Sequence, residues 1–453
     1  MILHVVSFDG FYFSLVMVVT QSQKIKTNST KETTMTTSSI VTISYQDLLD
    51  FHQNTQRGDN GLSDQQRQQH AVVEQIGQAY GSEGLGILSV SGIPNIVALR
   101  QRLLPLAAKI PQLPDLESCV VEKACYAVGW SHGKEGFSEA DDVAKGSFYA
   151  NPLVNNLYQA MLQRHQQRHQ QQSLDNDQET KNRLYEESLA QLVQDNYPFF
   201  APNVFPESLP ELEEAIAETG QIIAKVGRMI AKACDVYCAR QGVHVELESI
   251  LNESLNCKAR LLHYFASDEA EASSTGDVDE TKRETNSDEW ICGWHRDHGS
   301  LTGLVPAMYL SEQETTQQPL SGPPNPTTGL YIQSRSQDLI KVDLPLDCIG
   351  FQIGETFQIL SGGLLQATPH AVKTIATPGV TREAFAVFLE PEFDHPMEIP
   401  KGRTVDDCCP PDSTEANRIL KLNSIKSRWK QGMCFGDFNN ITIQTFHQQL
   451  PEN

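Results

Sequence analysis

The chain contains 10 cysteines but no CxxC pair and no regular cysteine spacing. That absence argues against a zinc knuckle and against a disulfide framework. Cys234 and Cys238 lie one turn apart on an expected helix and Cys408 adjoins Cys409, so buried or free thiols in a reducing compartment are expected. Positive charge is also scarce: 35 Lys and Arg against 57 Asp and Glu give a formal net charge of −22. This balance argues against nucleic acid as a sequence-independent partner. Much of the negative charge falls in loop-like segments, so it says little about any site. A membrane-length apolar run is missing too. The apolar stretch 11–19 has signal-peptide length but follows Asp9, has no Lys or Arg before it and no small-residue cleavage site after it. It is too short to span a bilayer. No stable membrane insertion and a cytoplasmic location are therefore expected. Residues 1–40 read as a leader or disordered extension, with Met35 as an alternative start and an organelle or secretory signal as the other reading of the leader.

What is present is ordinary globular composition, 39% hydrophobic and 20% charged over 453 residues, enough for a sizeable core. Residues 65–80 and 94–110 fit amphipathic helices on either side of a strand at 85–90, with Asn95 or Ser91 as helix-cap candidates. The Gln- and His-rich stretch 163–180 reads as a polar insert extending a helix rather than as a metal-binding tract. Leu212, Ile216, Ile223, Val226, Ile230 and Ala233 form the apolar stripe of a helix over 210–240, begun by Pro210 and ended by Gly242. Short β-like runs then dominate, at 260–265, 301–310, 330–333, 339–342, 349–353, 356–360, 371–375 and 385–389. An acidic insert (267–289) and a Pro/Thr-rich insert (312–328) interrupt them. Many short strands with Gly/Pro punctuation and no alternating helices indicate a sandwich or jelly roll. The expected class is mainly β with α additions (α+β). A double-stranded β-helix (jelly roll) over 255–395 follows a mainly helical region, 41–250, and precedes a C-terminal extension, 396–453.

The chemistry concentrates in Trp294-His295-Arg296-Asp297-His298-Gly299-Ser300 and in Ala367-Thr368-Pro369-His370. An H-x-D triplet alone arises by chance in about one of two chains of this size. His295 and Asp297 gain weight from His370 on a distant β segment, because a jelly roll makes distant strands neighbours. Two imidazoles and a carboxylate on one face of an octahedron form the ligand set of non-haem Fe(II) enzymes that bind a co-substrate and O₂ at one metal. Arg382 follows at the head of the run 385–389, where a guanidinium can clamp a carboxylate. His298 is a decoy, since a fourth protein ligand would fill a position needed by substrate or O₂. His244 and Glu246 are read as a solvated helix start before 247–255.

These residues, with Gly329-Leu330-Tyr331-Ile332 and the run 353–363 between them, resemble the isopenicillin N synthase-like group of Fe(II)/2-oxoglutarate-dependent dioxygenases. The likeness spans 255–395 strongly and 41–250 loosely. Gly129-Trp130-Ser131-His132-Gly133 and Gly146-Ser147-Phe148-Tyr149 resemble an uncharacterised plant and algal branch. The resemblance implies that His295, Asp297 and His370 hold Fe(II) and that Arg382 pairs with the distal carboxylate of 2-oxoglutarate. Oxidation of a C–H bond in a small organic substrate would release succinate and CO₂. The family's R-x-S pattern is broken here, Arg382-Glu383-Ala384, and Tyr264 is the candidate replacement hydroxyl. A 2-oxoglutarate-independent oxidase or a different 2-oxo acid stays open, as does the oligomeric state. The rival from another class is a catalytically silent jelly-roll protein that binds metal or ligand; a zinc hydrolase would leave Arg382 without a purpose. His132 is a further candidate for the substrate pocket.

Overall fold

The computed structural model describes residues 36–37, 40–57, 63–134, 143–169, 176–266, 290–312, 319–336, 338–374, 377–409 and 424–447. The acidic insert, nearly all of the leader and the centre of the Gln-rich stretch lie outside them. Among the described residues thirteen strands form two sheets. In chain order they are β1 (Thr36–Thr37), β2 (Val41–Ser44), β3 (Ile87–Ser91), β4 (Gly129–His132), β5 (Lys145–Ala150), β6 (Cys257–Tyr264) and β7 (Trp290–His295). Then come β8 (Leu301–Ser311), β9 (Gly329–Gln333), β10 (Leu339–Val342), β11 (Cys348–Ile353), β12 (His370–Lys373) and β13 (Val380–Leu389). The larger sheet runs β2-β3-β11-β8-β13-β6-β5-β4, and the smaller one β1-β10-β9-β12-β7. The protein is thus mixed α and β around a large, mostly antiparallel sheet. Strands upstream of residue 151 extend that sheet at both edges, β2-β3 beside β11 and β5-β4 beside β6.

Helices α1 (Tyr45–Arg57), α2 (Ser63–Tyr80), α3 (Ile96–Lys109) and α4 (Glu211–Arg240) support the larger sheet. The apolar stripe expected on α4 is buried throughout. Pro210 stands at its N-cap, Glu211, Glu213 and Glu214 fill a first turn where negative charge meets the positive end of the helix dipole, and Gly242 follows at φ 80°. Contact with the sheet is close because β8 presents a glycine to it. A Cβ on Gly303 would stand 2.2 Å from Ile223 Cγ2. Since side chains alternate across a strand, Thr302 and Leu304 face the other way, into the molecule. Asn95 does cap α3, in the left-handed conformation that Asn tolerates, but without a side-chain hydrogen bond to the helix.

One β-like run is not a strand. Residues 356–360 belong to helix α5 (Glu355–Leu360), whose six residues are all buried. With no exposed face, the segment has no helical periodicity to reveal it, and its Thr, Phe, Ile and Leu content reads as β. Downstream, α6 (Ile425–Arg428) and α7 (Phe435–His447) pack around Ile359, Met397 and Trp429 in a core of their own. The cysteines whose side chains are described are all free. Among the described residues no helix is long and apolar enough to cross a membrane.

Candidate metal centre and ligand cavity

Strand β7 ends at His295 and β12 begins at His370, and the two residues stand opposite each other in register. Antiparallel pairing therefore brings together two imidazoles that are remote in sequence. Their ring centroids lie 4.3 Å apart, tilted by 57°. Asp297 follows just beyond the strand, with Oδ1 3.6 Å from Nε2 of both His295 and His370. Among the described residues this is the one group of His, Cys, Asp or Glu side chains able to hold a metal ion, its ligand atoms all within 4.8 Å of one another. Ligands at right angles and about 2.1 Å from a metal lie about 3 Å apart. Only a small inward movement separates this arrangement from a ligand set.

The surroundings prepare each group. His295 Nδ1 donates to Gly293 O at 2.7 Å, and His370 Nδ1 to Thr368 O at 3.2 Å. A carbonyl can only accept, so the proton sits on Nδ1 and the Nε2 lone pair faces the centre. Burial and the adjacent His295 push the His370 imidazole down to about 4, which keeps it neutral at neutral pH. Thr302 Oγ1 donates to Asp297 Oδ2 at 2.6 Å and leaves Oδ1 for the histidines. Burial opposes the Asp297 charge, but His370, His295 and the Thr302 hydroxyl outweigh it and hold the carboxyl below its usual range.

The loop carrying Asp297 is braced from behind. Glu355 N donates to Asp297 O at 2.8 Å, Thr356 Oγ1 to His298 O at 2.6 Å, and Gly354 N to Ser300 O at 3.0 Å. A Cβ on Gly354 would meet Gly299 O at 2.0 Å, so only glycine permits this approach. The Glu355 carboxylate in turn accepts two hydrogen bonds from Arg428 Nη2, at 2.8 and 2.6 Å, and both side chains are buried. His298 points away from the centre: its Nε2 bonds Asn439 Oδ1 at 2.9 Å, and its ring packs against Phe435 and Phe438.

The triad opens into a cavity of about 340 Å³ between the two sheets, lined by Leu304, Leu330, Val372 and Phe388 and, further along, by Tyr264 and Arg382. Arg382 on β13 pairs with Tyr264 on β6 and with Tyr309 on β8, so the three side chains form one inward row. The guanidinium lies 4.8 Å from the centroid of the Tyr264 ring. Burial works against its charge, but the neighbouring phenols of Tyr264 and Tyr309 more than offset this, and its pKa is raised. Arg382 is only 8% exposed, and its Nε and Nη1 have no hydrogen-bond partner. Unsatisfied buried donors on a cation are costly and fit an anion arriving from the cavity. The residues present therefore fit both a metal ion and a carboxylate ligand.

His295, Asp297, His370, Arg382 and Tyr264 thus share one cavity. His132 does not line it: its Nε2 contacts Val143 O at 2.9 Å and its ring lies against Phe265. His244 and Glu246 are exposed at the start of the short helix Leu247–Glu253. Two residues of the site escaped the sequence reading. Thr302 lies two residues beyond the quoted motif and is a plain hydroxyl with no signal of its own. Tyr309 was hidden by strand alternation, and the only signal was Pro306, a residue that marks strand irregularity.

No protein-family model matches the chain, and no curated protein matches it in sequence. Solved structures do. A full-length Neurospora crassa protein in complex with alpha-KG and 5-formyluracil superposes with TM-score 0.51 at 14% identity, over 90% of this chain and 96% of that one. The same Neurospora crassa protein with alpha-KG and thymine gives 0.51 at 13% identity, with the same coverage of both chains. A candidate 2OG-Fe(II) oxygenase family protein of Caulobacter crescentus gives 0.50 at 16% identity, over 90% and 99%. The chain therefore has the fold of the 2OG-Fe(II) oxygenases.

Proposed function

We propose that the protein is a non-haem Fe(II)- and 2-oxoglutarate-dependent oxygenase acting on a small organic molecule. The observation that carries this reading is one cavity with a two-histidine, one-carboxylate cluster and, further along it, a buried arginine with two unpartnered donors. His295, Asp297 and His370 would hold the iron, and three protein ligands leave room in an octahedral shell for co-substrate and O₂. Bound there, Fe(II) supplies the one-electron chemistry that lets O₂ attack a C–H bond. The balance is 2-oxoglutarate, O₂ and substrate C–H giving succinate, CO₂ and hydroxylated substrate, or a desaturated or cyclised product with water.

The chain's own residues do the rest. The Nδ1–H bonds to Gly293 and Thr368 fix both imidazoles with Nε2 inward, and Thr302 turns one carboxylate oxygen toward them. Arg382 neutralises the distal carboxylate of the 2-oxo acid and sets its direction along the cavity. Leu304, Leu330, Val372 and Phe388 exclude water, which strengthens those charge contacts. The two sheets would be the jelly roll expected from the strand pattern, with the helices of 41–250 as its outer support. The Neurospora crassa protein of the same fold was solved with alpha-KG, and this supports the choice of co-substrate.

Anaerobic addition of Fe(II) and then 2-oxoglutarate to the full chain tests the reading. The expected result is a weak metal-to-ligand charge-transfer band in the visible. Folded protein that shows no such band would overturn the proposal and favour a silent binding protein or a hydrolytic metal site.

A further inference from the structure

Strand β8 changes phase halfway along. Thr302 and Leu304 face the cavity while Gly303 faces α4, so unbroken alternation would turn Met308 inward and Tyr309 outward. The pairing with β13 shows the opposite. Phe385 stands opposite Val305 and Glu383 opposite Met308, so Pro306 and Ala307 together face Ala384 alone. This is a β-bulge, and it falls at a proline, which has no N–H to give to the ladder. Beyond it Ala307 and Tyr309 line the cavity, and Tyr309 is in register with Arg382.

The bulge is clamped from outside the sheet. Arg100, buried on α3, donates from Nε to Pro306 O at 2.6 Å and from Nη2 to Ala307 O at 2.5 Å. Both carbonyls displaced from the regular ladder are thereby satisfied. The position directly across from the bulge is Ala384, where the R-x-S pattern would place a hydroxyl. Both phenols beside Arg382 interact with it, Tyr264 through its ring as well as its hydroxyl, whereas Tyr309 comes from the strand that carries the bulge.

We propose that Tyr309 supplies the hydroxyl that Ala384 lacks, so that it and Arg382 together select a 2-oxo acid with a distal carboxylate, and that Arg100 is the positioning residue that holds Tyr309 in phase. This rests on the reading of the cavity as a 2-oxoglutarate site. Sequence alone suggests a co-substrate pocket short of one donor; the bulge restores it from a different strand.

The test is the affinity of the Fe(II)-loaded full chain for 2-oxoglutarate and for pyruvate, which has the chelating end but no distal carboxylate. Both are read anaerobically from the charge-transfer band. Tyr309→Phe should weaken 2-oxoglutarate binding about tenfold, the scale of one hydrogen bond to a charged group, and leave pyruvate binding unchanged. Adding Ala384→Ser to Tyr309→Phe should recover most of the loss. Arg100→Met should mimic Tyr309→Phe; if it does not fold, the Tyr309 and Ala384 variants decide the matter alone. An unchanged 2-oxoglutarate affinity in Tyr309→Phe, or an equal loss for pyruvate, overturns this inference and leaves the proposed function standing. A wild-type protein with no 2-oxoglutarate band overturns both.

Discussion

The two ends of the cavity are built by different means. The proposed metal end draws mainly on one short stretch of chain: His295 and Asp297 are two residues apart and Thr302 orients the same carboxylate from five residues on, with His370 alone added by the β7–β12 pairing. Its bracing is backbone hydrogen bonding from Gly354 and Glu355, backed by the buried Glu355–Arg428 pair. The arginine end draws on lateral register instead. Arg382, Tyr264 and Tyr309 come from three strands and meet only because β13, β6 and β8 pair as they do. A site assembled along the chain leaves a motif in the sequence, whereas a site assembled across strands leaves single residues.

That difference can be broken or sharpened experimentally. The largest effect is expected for His295→Ala, which removes a proposed ligand and should abolish Fe(II) binding and turnover. His298→Ala should keep the charge-transfer band, because His298 faces Asn439. Next comes Arg428→Met. Removing one partner of a buried ion pair costs about 3–5 kcal/mol, so denaturant unfolding should shift by that amount. Metal affinity should fall with it, because Glu355 braces Asp297. Thr302→Val should be milder. Loss of a group that orients a metal ligand weakens metal binding about tenfold or somewhat more, read by Co(II) titration, with little change in global stability.

The same contrast explains what the sequence revealed. His295 and Asp297 were legible because they share one short motif, and His370 because its chemistry completes their ligand set, although it meets them only through the β7–β12 pairing. The stripe of α4 was legible because one face is buried and the other is not. Residues 356–360 misled because complete burial erases periodicity, and contacts with the 297–300 loop, not local preference, hold them as a helix. Tyr309 stayed hidden for a related reason. A bulge reverses the inward and outward assignment of every residue after it, and the side chain that bonds its carbonyls, Arg100, stands some 200 residues earlier. The missing serine after Arg382 was visible, but the place of Tyr309 in register with Arg382 was not.

The central claim is that one cavity holds a metal end and an anion end that can be separated. Paired titrations of wild type and Arg382→Met, with Co(II) and then with 2-oxoglutarate, test it most directly. The account predicts unchanged Co(II) affinity in the variant and a loss of 2-oxoglutarate affinity of about 100-fold, the scale of two charge-assisted hydrogen bonds. Equal 2-oxoglutarate affinity in the two proteins, or loss of Co(II) binding in a folded Arg382→Met, would contradict it.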